Sequence, residues 1–368
     1  MTDRALLFDK TIRELIPATT LPPAIEKIDA AGNYVSPGFI NIHIHGCGGA
    51  DTMDATPEAL DSMSRLQATT GVTAFCPTTM TYDWKNIYKA LDNIRAVRDA
   101  GAEPGAKILG AYLEGPFISS VYKGAQKADY IQPASFNKIA PYADIIRYVL
   151  VAPEEVPPPA LQILATVAQT HRIKLSLGHS NATYEQALTF IHQYGCQHIT
   201  HLFNGMAPFH HRHPGIAGAA LDSTAVCELI CDNIHSHPAA QRLACKLKGP
   251  DKLILITDSM RACGQGDGIS ELGGQKVWVQ GQKATLADGT IAGSVLTLDR
   301  ALANFKENTG LSLPQVVQLV TLNPALELGD ASRGRLENGC RADLTIFDEN
   351  FNIQSTYVGG NLVYRRKE

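Results

Sequence analysis

From residue 36 onward, short apolar runs alternate with longer stretches in which apolar positions recur at helical spacing. The apolar runs predict strands at Phe39–His45, Thr73–Thr78, Lys107–Leu113, Arg147–Val151, Ile173–Leu177, His198–Leu202, Cys227–Cys231 and Lys252–Thr257. Amphipathic stretches at Pro57–Thr70, Trp84–Ala100, Pro159–His171 and Tyr184–Tyr194 predict helices between them. Strands apolar on both faces and alternating with helices indicate a parallel sheet covered on both sides. Eight such repeats predict a closed α/β barrel, the (β/α)8 TIM type, over residues 37–333. An open doubly wound sheet shares the alternation but leaves the placement of the polar residues unexplained.

Nearly every unusual polar residue falls at or just past the C-terminal end of a predicted strand. His43 and His45 close the first strand, Glu114 follows the third and His179 the fifth. His201 closes the sixth, His235 follows the seventh and Asp258 the eighth. In a barrel these positions converge on one mouth. His43 and His45 also share a face, because side chains alternate along a strand. Two neutral imidazoles at a strand's end are costly to desolvate unless their lone pairs are used, and a divalent ion uses them. An isolated His-x-His fits a pair of hydrogen-bonded core histidines as well. The convergence of seven polar groups is what favours a metal.

Two segments lie outside this rhythm. Residues 1–36 and 334–368 are β-rich and are expected to pair into one small β-sandwich domain built from both chain ends. Residues 276–291 read as a β-hairpin inserted before the last helices, and Val156-Pro157-Pro158-Pro159 as a rigid turn.

At 368 residues, 45% hydrophobic and 18% charged, the chain has a soluble globular composition with ample core. A net charge of −4 offers no basic footprint for nucleic acid and no polybasic membrane patch. The N-terminus lacks the build of a signal peptide and no apolar run reaches membrane length, so the expected location is cytoplasmic. Eight cysteines without a Cys-x-x-Cys pair argue against a zinc ribbon or redox motif and predict free, buried thiols in a reducing compartment.

Glu114, His179 and His201 form a Glu/His/His set from three strands, suited to zinc or a similar ion with one position left open. His43 and His45 could complete a second metal position sharing Glu114. A divalent ion lowers the pKa of water towards ~7. Asp258 is then the candidate base, taking the water proton and passing it to a leaving group. His235 is the candidate donor to the oxygen that becomes negative. Together these residues point to metal-assisted hydrolysis of an amide.

The motifs carry a more specific likeness. They are Pro-Gly-Phe-Ile-Asn-Ile-His-Ile-His-Gly-Cys-Gly-Gly from 37, Leu-Glu-Gly-Pro-Phe from 113, Gly-His-Ser-Asn-Ala from 178 and Thr-His-Leu-Phe-Asn-Gly-Met from 200. Further on come His-His-Arg-His-Pro-Gly from 210, Ile-Thr-Asp-Ser-Met from 256 and Ile-Ala-Gly-Ser from 291. Across nearly the whole barrel the chain resembles the amidohydrolase superfamily and, within it, the N-acetylglucosamine-6-phosphate deacetylases.

That resemblance implies that Glu114, His179 and His201 hold the principal metal, Asp258 is the acid/base and His235 polarises the acetyl carbonyl. It implies that Asn204, the Gly205 backbone and Arg212 bind phosphate, with Arg212 contributed by the other subunit of a homodimer. Backbone near Ala125 would touch the sugar, and Ile291, Ala292 and Gly293 would line the acetyl pocket. The guanidinium fork of Arg212 suits phosphate, and His210, His211 and His213 add local positive character. His213 stands where relatives usually carry Glu, and Gly205 where Ala is common. Both departures bear on sugar isomer and affinity more than on chemistry. No carboxylated lysine is evident, which leaves Glu114 as the bridge of any two-metal site.

The expected substrate is N-acetyl-D-glucosamine 6-phosphate. Its galactosamine isomer, another amide of the superfamily, and an inactive scaffold are the alternatives. Intact ligands and Asp258 weigh against the last. His171, His192, His198 and His237 read as surface or core residues, and Lys123 and Lys127 as loop charges. Asp51 and Asp54 read as helix-start residues, and Glu228 and Asp232 have no firm role beyond Asp232 as a support for a histidine.

Overall fold

The computed structural model describes residues 4–21 and 26–367. Eight parallel barrel strands run at Phe39–Ile44, Val72–Pro77, Lys107–Ile108 with Ala111–Leu113, Ile146–Val151, Lys174–Leu177, His198–Ile199, Val226–Ile230 and Leu253–Ile256. A parallel bridge between Thr78 and Tyr112 joins the second strand to the third. Backbone bonds from Asp258 N to His43 O (3.0 Å) and from His45 N to Ser259 O (2.9 Å) close the ring between the last strand and the first. The seam therefore sets Asp258 beside the His-x-His pair.

Two strands differ from the sequence reading. The third is broken at Leu109–Gly110, because Gly110 takes φ +144° and a side chain there would stand 2.4 Å from Ile145 O. The sixth ends at Ile199, so His201 lies two residues past it rather than closing it. His179, His201 and Asp258 all have positive φ (43°, 28° and 48°). Non-glycine residues hold that region only when their surroundings over-determine it, and such strain gathers at functional sites.

The helices at Pro57–Thr69, Trp84–Ala100, Pro158–Thr170 and Tyr184–Gln193 match the amphipathic stretches to within a residue at each end. Thr56, Asp83 and Thr183 cap three of them by accepting backbone N–H bonds. The proline run does not form a separate turn. Pro158 is the first residue of a helix, where a missing N–H does no harm.

The insertion is longer than a hairpin. Gly268–Leu272, Gln275–Gln280 and Lys283–Thr285 form a three-stranded antiparallel sheet. Its first strand was illegible because it is short and mostly exposed, with Ile269 facing outward and only Leu272 buried. Leu272, Val277, Val279 and Ala284 pack on Met80, Met260, Ala262 and Ala292 at the barrel mouth.

The chain ends supply a four-stranded antiparallel sheet, in the order Asn361–Arg365, Ile353–Val358, Leu344–Phe347 and Tyr34–Pro37, and a hairpin of Arg4–Phe8 with Ile12–Pro17. Between them lies a second small core of Ile12, Cys340, Ala342, Leu344, Ile346 and Tyr357, giving the β-sandwich. All eight cysteines are unpaired and seven are buried. Asp51 caps the short helical turn Thr52–Asp54, with Asp54 closing the capping box. Among the described residues, no helix is long and apolar enough to cross a membrane.

Candidate active site

Glu114 sits at the centre of the barrel mouth. Its Oε1 lies 3.1 Å from His201 Nε2, 3.3 Å from His179 Nε2 and 3.6 Å from His43 Nε2. Its Oε2 lies 3.0 Å from His45 Nε2 and accepts a 2.7 Å hydrogen bond from Gln126 Nε2. Asp258 Oδ1 stands 3.2 Å from His45 Nε2 and 3.5 Å from His43 Nε2. All six of these ligand-type residues are buried.

Every ring is anchored from behind through Nδ1. His45 bonds to Thr78 O (3.2 Å), His179 to Tyr122 O (2.8 Å) and His201 to Asn204 O (3.0 Å). His43 bonds to Glu228 Oε2 at 3.0 Å. A carbonyl oxygen only accepts, so Nδ1 carries the proton and Nε2 of a neutral ring presents its lone pair to the centre. Four lone pairs facing two carboxylates repel unless a cation lies among them. His43 Nε2 and Asp258 Oδ1 are buried with no hydrogen-bond partner.

The donor atoms of Glu114, His179 and His201 lie within 4.8 Å of one another, as do those of His43, His45 and Asp258. A tetrahedron with bonds of about 2.0 Å has edges of about 3.3 Å, close to the separations around Glu114 Oε1. The first group therefore fits a divalent ion with nitrogen and oxygen ligands. The second offers a neighbouring position across the same carboxylate.

The electrostatics agree. Burial opposes charge on His45, yet Asp258 and Glu114 hold its pKa well above the ordinary imidazole value. His179 is raised against the same burial by Glu114. Burial likewise pushes Glu114 up, but His179, His201 and His45 hold it well below the usual carboxylate range. In the absence of a dication Glu114 and Asp258 favour protons on His45 and His179, and a dication must displace them. Metal uptake near neutral pH is expected to release protons, with affinity falling as pH falls. Calorimetric titration in buffers of different ionisation enthalpy measures this; buffer-independent heats would contradict it.

A cavity of about 250 Å³ opens over this centre. Glu114, His179, His201, His45, Asp258 and His235 line it, with Ala125, Asn204, Gly205, Ile291 and Gly293 around them. Three further candidates stand elsewhere. His43 lies behind the wall, wholly buried. Ala292 is fully buried in the insertion core. Arg212 is exposed on the loop before the helix Gly215–Asp222, its Nη1 2.8 Å from His211 Nε2. Gly205 has φ +61°, and a Cβ there would stand 2.8 Å from His179 Nδ1, so a side chain would press on that ring.

Three residues acquire a place that the sequence did not assign, and Asp232 takes the supporting place suggested for it. Asp232 Oδ2 lies 2.6 Å from His235 Nδ1 and turns Nε2 of that ring to the cavity. Gln126 is fixed between Thr81 N and Glu114, and nothing in the sequence distinguished it from other loop amides. His198, read as a surface or core residue, is wholly buried with Nε2 3.0 Å from Glu228 and Nδ1 3.3 Å from Glu327. Glu228 did carry a signal, because a carboxylate between Cys227 and Leu229 in an inward-facing strand needs partners.

Residues 34–363 match the amidohydrolase family. The chain belongs to that family. It is 41% identical over 355 residues to a relative from Bacillus subtilis (strain 168) called N-acetylglucosamine-6-phosphate deacetylase, covering 94% of this chain and 89% of the relative. It is 36% identical over 348 residues to an Escherichia coli O157:H7 relative called N-acetylgalactosamine-6-phosphate deacetylase, covering 93% and 90%. A solved structure of a variant N-acetyl-D-glucosamine-6-phosphate deacetylase from Mycobacterium smegmatis, in complex with N-acetyl-D-glucosamine-6-phosphate, superposes with a TM-score of 0.88 at 30% identity. The match covers 96% of this chain and 92% of that one.

Proposed function

We propose that this protein hydrolyses the acetamide of N-acetyl-D-glucosamine 6-phosphate to D-glucosamine 6-phosphate and acetate. The observation that carries the reading is the Glu114/His179/His201 group beside an unpartnered Asp258 oxygen at the floor of one cavity. Zinc would suit the principal ligand set, and His43 and His45, with Glu114 beside them, would hold a second ion. When bound, such an ion supplies Lewis acidity and makes water a competent nucleophile at neutral pH.

The chain's own groups do the rest. Asp258 Oδ1 takes the proton of the attacking water and delivers it to the departing nitrogen. His235, held by Asp232, donates from Nε2 to the acetyl oxygen as it becomes negative. Ile291 and Gly293 face the acetyl group, with Ala292 packed behind them. Backbone at Ala125 faces the sugar, and its carbonyl is already engaged by Gln275 Nε2 at 2.6 Å. Asn204 and the Gly205 backbone receive the phosphate together with Arg212 from the partner in a homodimer; its exposure in the single chain suits that role. The barrel at 37–333 and the terminal unit of 1–36 with 334–368 are the two domains in this reading, supported by the separate terminal core. Eight unpaired thiols suit a cytoplasmic location.

The test is acetate release from a panel of phosphorylated and unphosphorylated N-acetyl hexosamines. The galactosamine isomer is the second reading, favoured by the E. coli relative. A higher kcat/KM for that isomer would replace the first. Arg212→Ala should raise KM for the phosphorylated sugar at least tenfold more than for its unphosphorylated analogue, since a guanidinium–phosphate pair is charge-assisted and bidentate. Equal effects on both substrates would remove the phosphate role.

A further inference from the structure

Barrel interiors are ordinarily filled by branched aliphatic side chains, yet a file of charged groups runs through this one. Glu228, wholly buried on the seventh strand, is its hub. One oxygen, Oε2, lies 3.0 Å from His43 Nδ1 and accepts the backbone N–H of His201 at 3.1 Å. The other, Oε1, lies 3.0 Å from His198 Nε2. His198 Nδ1 in turn lies 3.3 Å from Glu327 Oε1, which is 3.8 Å from Lys174 Nζ at the start of the fifth strand. A single carboxylate oxygen thus touches one residue of each candidate metal group: the ring of His43 and the backbone of His201.

We propose that Glu228 is a positioning residue that holds the two ligand groups in register, acting chiefly through the His43 ring. The inference rests on the metal reading of the site. By accepting from Nδ1, Glu228 fixes the tautomer that leaves His43 Nε2 as a lone pair beside Asp258. His198, pinned between Glu228 and Glu327, stops the carboxylate from turning away. The same oxygen holds the strained backbone at His201, whose φ is 28°. No other described carboxylate is recorded in contact with both groups from behind.

The test is Co2+ titration of the full-length protein, read by d–d absorption and by elemental analysis, with circular dichroism of the metal-free samples as the fold control. Glu228→Leu should weaken Co2+ binding by about tenfold to a hundredfold, the usual effect of removing a ligand's outer partner. Glu228→Gln, which keeps an accepting oxygen, should lose less, and it carries the test if the leucine variant does not fold. In a His43→Ala background either substitution should change affinity by less than about threefold, because contacts acting through one group are not additive. Unchanged affinity in the wild-type background, or equal losses in both backgrounds, would overturn the proposal. A wild-type protein that takes up no Co2+ would overturn the metal reading, and this inference with it.

Discussion

Asp258→Asn should reduce kcat by about a thousandfold or more while leaving the fold and the principal metal in place. A positioned acid/base contributes about 10²–10⁴ in rate, and here one carboxylate serves both proton transfers. The substitution is close to isosteric. Asn tolerates φ near +48° as Asp does. The backbone bond Asp258 N to His43 O, which helps close the barrel, and the bond Ser294 N to Asp258 O are untouched. Stability should therefore change little, and elemental analysis should still find metal on Glu114, His179 and His201. Turnover within tenfold of wild type would remove the acid/base assignment.

Glu114→Gln should abolish metal binding and activity together. Among the described residues, Glu114 is the one carboxylate that all four imidazole Nε2 atoms approach within 3.6 Å. A neutral amide supplies no charge against a buried dication, and its NH2 end would present hydrogens where a ligand lone pair is required. Glu114 belongs to the first candidate group and lies within 3.6 Å of both imidazoles of the second, so both are expected to empty, unlike the selective effect of Asp258→Asn. Elemental analysis and acetate release on one sample separate the two variants. Metal retained at wild-type stoichiometry would show that Glu114 is not a ligand.

Much of this was legible in the chain because two periodicities and one positional rule were enough. Fully apolar runs marked the strands, helical spacing marked Trp84–Ala100, and polar residues just past strand ends marked the mouth. What stayed hidden depended on backbone geometry or on distant partners. The break at Gly110 comes from a close approach by Ile145 O, which lies outside any local pattern. The strand Gly268–Leu272 is short and mostly exposed, and its two apolar residues, Ile269 and Leu272, stand three apart, so alternation did not reveal it. Gln126 and His198 look ordinary in sequence, and Glu228 signals only a need for partners; the three gain their places through residues 12, 129 and 185 positions away. Ala292 is adjacent to two cavity-lining residues yet points into the insertion core, a difference of one side-chain direction.

The most direct measurement is acetate release from N-acetyl-D-glucosamine 6-phosphate as metal is returned stepwise to chelator-stripped protein, with bound metal quantified in each sample. The expected result is no turnover at zero metal and a rise in proportion to ions bound until the Glu114/His179/His201 position is full. Undiminished hydrolysis by metal-free protein, or none from the fully reconstituted one, would contradict it.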